Sequence, residues 1–189
     1  LIYPGIFGGV VDKSASILGF CKSLDVYLEK IFINKKFFNN LEKNGRQFQN
    51  LLHQLGLGGD SVDATRLLSQ LQLSSVFDVS QFPFHKLKLI ADEILSGRML
   101  RHRFKSIDGL RAWGLILVLY SRKVIPNQSA LVPFEGLSDI AIADIGKRMM
   151  ILQDLRNPAA HRQTVFDMGA VVTVRKEVFS LLHLLTPKS

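Results

Sequence analysis

A nearly continuous apolar stretch, residues 107–121, limits the fold of this chain more than any other segment. Its large apolar side chains would surround a helix on all sides instead of forming one stripe; they are Leu110, Trp113, Ile116, Leu117 and Tyr120. Such a helix is stable only when other helices cover it, so the stretch predicts the central helix of a bundle. Its longest apolar run, Ala112–Tyr120, is far too short to span a bilayer, and we expect no membrane partner.

Amphipathic helices are predicted on both sides of this central segment. Between residues 14 and 31, apolar residues recur at alternating intervals of four and three, at Ile17, Cys21, Leu24, Leu28 and Ile31. Residues 46–55 and 86–104 are also helical in pattern, whereas residues 74–84 are typical of a loop or a short strand. No internal repeat and no run of alternating strands is present. The predicted fold class is therefore all-α, a helical bundle.

Small polar residues mark the predicted starts of three further helices. Ser61 is a predicted N-cap for a helix that follows the glycine-rich loop at residues 56–59. Ser138 is a predicted N-cap for the next long helix after the central one. The last helix is predicted to begin after Thr164, where Asp167 gives a capping-box pattern, and to end before Pro187.

The domain organisation predicted from these patterns is simple. The chain has 189 residues, which is enough to bury one substantial core. Residues 1–13 contain Pro4 and three glycines, and they predict an extended N-terminal arm or connector. Residues 14–189 are predicted to form one helical domain. Because the first residue is Leu1 rather than Met, we expect a fragment of a longer protein or a processed one.

The charge of the chain points towards polyanionic partners. Its 24 Lys and Arg outnumber 16 Asp and Glu, which gives a net charge of +8. A basic domain of this kind attracts RNA or DNA, so nucleic acid is one expected partner. The alternative is a basic surface that is simply solvated and binds nothing.

Cysteine and histidine usage excludes several kinds of site. Cys21 is the only cysteine, so an intrachain disulfide and a multi-cysteine zinc site are both excluded. The chain suits a reducing compartment, and we expect the cytoplasm. Cys21 itself lies on an apolar helical stripe and is interpreted as a small buried hydrophobe. No close histidine pair and no phosphate-binding glycine loop is present, so no metal or cofactor is predicted.

The segment 155–162, Leu-Arg-Asn-Pro-Ala-Ala-His-Arg, contains the candidate catalytic residues. Arg156 continues the apolar stripe of the preceding helix, which is formed by Ile142, Ile145, Met149 and Leu152. A guanidinium on a core-facing stripe is costly unless it is paired. Arg156 therefore predicts an acidic partner, a phosphate site or an intersubunit cleft, and Asp25 and Glu29 are the candidate partners.

Pro158 predicts a break in the chain at this segment. Because proline disfavours helical geometry in the residue before it, Asn157 is predicted as an N-cap and Pro158 as the first residue of a new helix. In an uninterrupted helix Arg156 and His161 would diverge, since each residue turns by roughly 100°. A break at Asn157 would let both side chains face one space.

These three side chains suit RNA cleavage without a metal. His161 is a candidate general acid and base that takes the proton of a 2′-hydroxyl or returns one to the leaving oxygen. Arg156 is a candidate ligand of the scissile phosphate, and Asn157 is a candidate for orienting the imidazole or the sugar. Arg162, next to His161, is a further candidate for substrate binding.

The pattern Arg156, Asn157, three spacers and His161 resembles the motif of the HEPN superfamily. The resemblance extends over residues 14–185 and implies an all-helical domain. Residues 45–84 do not align with a minimal bundle of that family and are a candidate insertion. In HEPN ribonucleases two motifs face each other across a homodimer, which implies a two-fold site here. The implied products are a 2′,3′-cyclic phosphate and a free 5′-hydroxyl.

A second basic cluster lies at the end of the helix predicted over residues 86–104. It consists of Arg98, Arg101, His102, Arg103 and Lys105. These residues are candidates for binding the RNA backbone, with His102 also a candidate phosphate ligand. The alternative is that they are solvated cations favoured at a helix C-terminus. The other histidines, His53 and His183 among them, are interpreted as structural, and Trp113 and the phenylalanines as core.

Three functions remain open from the sequence. The first is a basic, homodimeric HEPN-like endoribonuclease domain in a toxin, antiphage or RNA-processing protein, with an additional domain or an antitoxin-like protein as a further partner. The second is a non-catalytic HEPN-like module for dimerisation or attachment. The third is a helical nucleic-acid-binding regulator that uses its charge without chemistry.

Overall fold

The computed structural model describes residues 12–32, 45–57, 62–75, 77–95, 109–123, 136–160 and 167–186. Within these ranges all regular secondary structure is helical, which confirms the predicted all-α bundle. The seven helices described are α1 (Ser14–Phe32), α2 (Gly45–Gln54), α3 (Ala64–Gln70), α4 (Phe84–Leu95), α5 (Leu110–Ser121), α6 (Asp139–Ala160) and α7 (Met168–Leu185).

Helix α5 is the central helix of the bundle, as its composition predicts. Every residue of α5 except Arg111 is buried. It packs along α6 and also contacts α1 and α4, so apolar side chains are covered on all sides of its axis. No helix within the described ranges is both long enough and apolar enough to cross a membrane.

Helices α1, α6 and α7 pack against one another beside α5. The predicted seam of α1 is confirmed at four of its five positions, since Ile17, Cys21, Leu24 and Leu28 are all buried. The side chain of the fifth, Ile31, lies outside the described part of the chain. Phe20 contacts Phe179, and the hydroxyl of Tyr27 donates to the carbonyl oxygen of Leu185 at 3.2 Å. The second contact lies closer to the C-terminus than the first in both helices, so α1 and α7 run parallel.

The described residues between 45 and 84 belong to the same core as the rest of the bundle. They form α2, α3 and several turns, and α2 packs against α4. Arg122, just after α5, donates from Nε to the carbonyl oxygen of Leu71 at 3.0 Å. The apolar residues that this segment adds to the core are Leu52, Leu57, Leu67, Leu68, Leu71, Leu73, Phe77 and Phe82. No strand occurs among the described residues of the turn region at 74–84, and α4 begins there at Phe84.

Only one of the three predicted helix starts is correct. Ser138 accepts a hydrogen bond from the backbone N–H of Ala141 at 3.2 Å, as an N-cap does. The cap of α3 is Asp63 rather than Ser61, and the cap of α7 is Asp167 itself rather than Thr164, three residues before it. In both cases the aspartate carboxylate accepts hydrogen bonds from backbone N–H groups of the first helical turn. Each helix therefore begins a few residues later than predicted.

Several predicted features lie outside the described residues. The N-terminal arm, residues 1–13, is described only at Asp12 and Lys13, which are not helical. The helix predicted over residues 86–104 is described as far as Leu95.

Candidate functional site

Helix α6 continues without a break through the first part of the candidate catalytic segment, residues 155–160. It extends to Ala160 with Pro158 inside it, so the predicted N-cap at Asn157 is wrong. The physical reason is packing, because Ala159, two residues beyond the predicted break, is buried against the core. The lack of an N–H on Pro158 leaves the carbonyl oxygen of Asp154 without its usual helical donor. Burial of the apolar face offsets that loss.

The guanidinium of Arg156 forms an ion pair with Asp25 across the interface of α6 and α1. The distance from one terminal nitrogen of Arg156 to Oδ2 of Asp25 is 3.4 Å. The two side chains are only 22% and 12% exposed. This confirms one of the predicted alternatives, an acidic partner for Arg156, and of the two candidate partners it is Asp25 that forms the pair. The pair is more shielded from water than a surface ion pair, so removing one member should cost more than at the surface.

Gln153 connects Arg156 to Asn157. Its side-chain oxygen accepts from the terminal nitrogen of Arg156 at 3.5 Å, and its side-chain nitrogen donates to Oδ1 of Asn157 at 2.9 Å. Both contacts follow from helical spacing, because residues three and four apart share a face. Asn157 is therefore held by its own helix, one turn after Gln153. Nε of Arg156 is buried and makes no hydrogen bond to any described residue.

The start of α5 lies beside these residues. Arg111 forms an ion pair with Asp154 of α6. A Cβ atom added to Gly109 would lie 3.5 Å from the side-chain oxygen of Gln153, so the backbone before α5 closes one side of the cluster. We call Asp25, Gln153, Arg156 and Asn157 the α6 polar cluster.

Cys21 lies next to the α6 polar cluster but is not a nucleophile. It is fully buried, and burial raises the pKa of its thiol from 9.0 to about 11. The carboxylate of Asp25 raises this pKa further, while the guanidinium of Arg156 lowers it. The thiolate is the reactive form of cysteine, so this thiol is unreactive near neutral pH. The interpretation of Cys21 as a small buried hydrophobe is confirmed.

The structure describes two of the three candidate catalytic residues. Arg156 and Asn157 are adjacent on α6 and share Gln153 as a hydrogen-bonding partner. His161 lies outside the described residues, so its convergence with Arg156 stays a prediction. The candidate substrate-binding residues also lie outside them: Arg98, Arg101, His102, Arg103, Lys105 and Arg162.

Two residues, Gln153 and Phe179, differ from what the sequence analysis predicted. Gln153 was missed, although its position four residues before Asn157 would have indicated a contact on one helical face. Phe179 was predicted to be core but is 55% exposed. Its position on α7 is out of phase with the buried residues Val174, Val178 and Leu181, which was the available signal.

The described histidines do not form a site. His53, His85 and His183 are all exposed, on α2, α4 and α7. Within the described part of the chain no three histidine, cysteine or carboxylate side chains are grouped so that they could hold a metal ion.

Comparison with known proteins adds no family to this description. No family model, no curated protein and no solved structure matches the chain. The resemblance to the HEPN superfamily therefore depends on the segment from Arg156 to His161 and on the all-helical fold around it.

Proposed function

We propose that this chain is a HEPN-like endoribonuclease domain that cleaves RNA without a metal ion. In this proposal Arg156 binds the scissile phosphate, His161 transfers protons and Asn157 orients the reacting groups. The observation that carries the proposal is the state of Arg156, whose guanidinium contacts Asp25 and Gln153 while the side chain as a whole stays 22% exposed.

Arg156 has the properties that a phosphate ligand needs. A guanidinium has five N–H donors in a fixed plane, and the contacts with Asp25 and Gln153 both use one terminal nitrogen. The side chain is 22% exposed, so it is fixed but not sealed. A cation that is already positioned stabilises developing negative charge without first reorganising. This supports a role for Arg156 in binding a phosphodiester.

The continuity of α6 changes how the site would be assembled. Because Arg156 and Asn157 belong to one unbroken helix that reaches Ala160, a bend at Asn157 does not bring His161 to Arg156. The imidazole must instead be turned by the chain after Ala160, or come from a second copy. The homodimer implied by the HEPN resemblance would provide that second copy.

The proposed reaction is a transesterification within the RNA. The 2′-hydroxyl loses its proton to the imidazole of His161, and its oxygen attacks the adjacent phosphorus. The bond from phosphorus to the 5′-oxygen breaks, and that oxygen receives a proton from an imidazolium. Arg156 neutralises the extra negative charge on the phosphoryl oxygens in between. The products are a 2′,3′-cyclic phosphate and a 5′-hydroxyl.

The test is an RNA cleavage assay in the presence of a chelator. Purified protein is incubated with end-labelled single-stranded RNA and with DNA of matched sequence, alongside His161→Ala and Arg156→Ala. We expect cleavage of RNA alone, lost in both variants, because DNA has no 2′-hydroxyl. His53→Ala is the matched control, since His53 is an exposed histidine far along the chain on α2, and it should cleave like the wild type.

Salt-sensitive RNA binding without any cleavage would contradict the nuclease proposal and leave a nucleic-acid-binding regulator. Cleavage that persists in His161→Ala would remove the proposed catalytic residue.

A second candidate function, a non-catalytic dimerisation module, is favoured by one surface of α6. Ile140, Ile151 and Leu155 are 80%, 45% and 41% exposed. Together with exposed Pro158 they lie within an arc of about 60° around the helix axis, at roughly 100° per residue. Asp144 interrupts this row. An apolar row on the outside of a bundle is typical of an interface, and in this alternative a second copy covers it.

Solution mass distinguishes this alternative. We expect Ile151→Asp to convert a dimer into a monomer in sedimentation velocity, because a buried unpaired carboxylate is costly. Val79→Asp, at an exposed apolar position in a turn, is the control and should stay dimeric. A tight dimer that cleaves no RNA would favour the module over the nuclease.

A further inference from the structure

Helix α7 carries an outward-facing row of apolar and basic side chains that the candidate site does not use. At roughly 100° per residue its members fall within one arc of about 100° around the helix axis. All of them are exposed. We call this row the α7 stripe; it consists of Met168, Val172, Arg175, Lys176, Phe179 and His183.

We propose that the α7 stripe binds single-stranded nucleic acid, with Phe179 stacking on a base and Arg175 and Lys176 binding phosphates. The choice of RNA as the natural ligand rests on the proposed function. The stripe is separate from the α6 polar cluster, so it would hold substrate outside the cleavage site.

Phe179 has the geometry of a stacking platform. The residue is 55% exposed, although aromatic residues usually bury most of their surface. On one edge it meets the ring of Phe20 on α1, with centroids 6.3 Å apart and an interplanar angle of 62°. The ring is thus supported by a neighbouring helix and remains accessible. Base stacking on such a ring tolerates any sequence, because every base has a π face.

A cation lies against this ring. The guanidinium carbon of Arg175 lies 5.7 Å from the ring centroid of Phe179, within the range of a cation–π interaction. Lys176 and His183 lie on the same side of the helix. An arginine on an aromatic ring can contact a phosphate and also extend the stacking surface, which is an arrangement suited to a single strand.

No carboxylate opposes these cations on the stripe. Glu177 is the only acidic residue of α7, and it lies about 160° around the axis from Phe179. There it accepts a hydrogen bond from Nε of Arg148 on α6 at 2.5 Å. The charged side chains of the stripe itself are therefore basic only, which matches the net charge of +8 of the chain.

A second copy of this chain fits the stripe less well than a polyanion. Two α7 stripes facing each other would bring Arg175 and Lys176 against their own equivalents without a carboxylate between them. Like charges at close range oppose such contact. A single-stranded nucleic acid supplies both the negative charge and the planar bases.

The test measures binding, separately from cleavage. The affinity of the full chain carrying His161→Ala is measured by fluorescence anisotropy with a labelled oligouridylate and with a labelled duplex RNA. Phe179→Leu is then added, because leucine keeps an apolar side chain of similar reach but has no aromatic face. We expect Phe179→Leu to weaken single-strand binding by about 5- to 100-fold and to leave duplex binding unchanged, since duplex bases offer no free face.

Two further variants separate stacking from charge and from general damage. Replacing Arg175 and Lys176 by glutamine should lower the slope of log affinity against log salt by about 0.7 for each cation removed. Val79→Ala, at an apolar side chain that is also about half exposed, is the matched control and should bind like the parent chain. Thermal unfolding checks that all variants remain folded.

The results that overturn the inference are distinct from those that overturn the nuclease. Equal single-strand binding by Phe179→Leu and its parent would end the role of the α7 stripe, as would equal weakening of single-strand and duplex binding. Neither result affects the nuclease proposal, which is tested separately by the cleavage assay with the wild-type chain and His161→Ala. If the wild-type chain binds through Phe179 but cuts nothing, the nuclease proposal fails and the binding surface stands.

Discussion

The backbones of Gly114 and Gly146 are in direct contact where α5 crosses α6. A Cβ atom added to Gly114 would lie 2.5 Å from the carbonyl oxygen of Gly146. One added to Gly146 would lie 2.7 Å from the carbonyl oxygen of Gly114. The missing side chains allow the central helix to approach α6 closely, and the same packing holds α6 where it presents Arg156 to α1.

Replacing Gly146 by alanine is therefore expected to destabilise the fold. The nearest atom is the backbone carbonyl oxygen of Gly114, which cannot move aside as a flexible side chain would, so the two helices must separate. We expect the free energy of unfolding to fall by about 1–3 kcal/mol, measured by urea denaturation. Gly19→Ala is the control, since Gly19 lies exposed on α1 with nothing within 4 Å of an added Cβ. That variant should gain about 0.5–1 kcal/mol. Equal effects of the two substitutions would contradict the close approach.

The pair formed by Asp25 and Arg156 is expected to show a measurable coupling energy. Asp25→Asn keeps the shape of the side chain but leaves the guanidinium of Arg156 without its carboxylate in a largely buried position. In a double-mutant cycle with Arg156→Met, we expect a coupling of about 0.5–3 kcal/mol in the free energy of unfolding. Additive effects would show that the pair contributes nothing to stability.

The N-cap of α7 provides a third prediction. The carboxylate of Asp167 accepts from the backbone N–H groups of Gly169 at 2.7 Å and Ala170 at 3.1 Å. Asp167→Ala removes both acceptors, and we expect a loss of about 0.5–2 kcal/mol in unfolding free energy. Asp167→Asn keeps an acceptor oxygen and should lose less. If alanine and asparagine have the same effect, the hydrogen bonds do not stabilise the helix start.

Much of the fold follows from the phase of the apolar residues. The seam of α1 and the all-round apolar character of α5 reflect burial directly, because a helix must turn its apolar side chains towards the core. The same phase placed Arg156 on the inner face of α6. An inward-facing guanidinium requires an acid, and Asp25 provides it. Both the helix and one residue of the candidate site were therefore predictable.

The local rules failed where packing opposes them. Proline favours a helix start, yet α6 continues through Pro158 because Ala159 is buried. Ile145, Leu152 and Ala159 are all buried and recur every seven residues, and this spacing was the signal for an unbroken helix. The prediction for Phe179 was also wrong. A large aromatic residue usually indicates the core, but the position of Phe179 around the axis of α7 places it on the exposed face. Composition alone does not resolve either case.

Burial of Cys21 predicts a specific dependence of stability on pH. The folded state raises the pKa of this thiol from 9.0 to about 11, chiefly through burial. Below pH 9 the thiol is protonated in both the folded and the unfolded chain, so its contribution is complete. Between pH 9 and 11 the unfolded chain releases the proton while the folded chain keeps it, and stability is lost.

The measurement compares the unfolding free energies of the wild-type chain and Cys21→Ala from neutral pH to pH 11. The advantage of the wild-type chain should shrink by about 1–3 kcal/mol across that window, because each pKa unit corresponds to about 1.4 kcal/mol. A difference between the two proteins that stays constant with pH would show that the thiol is not shielded. Slow labelling of native Cys21 by a thiol reagent at neutral pH, and rapid labelling after denaturation, would support the same burial independently.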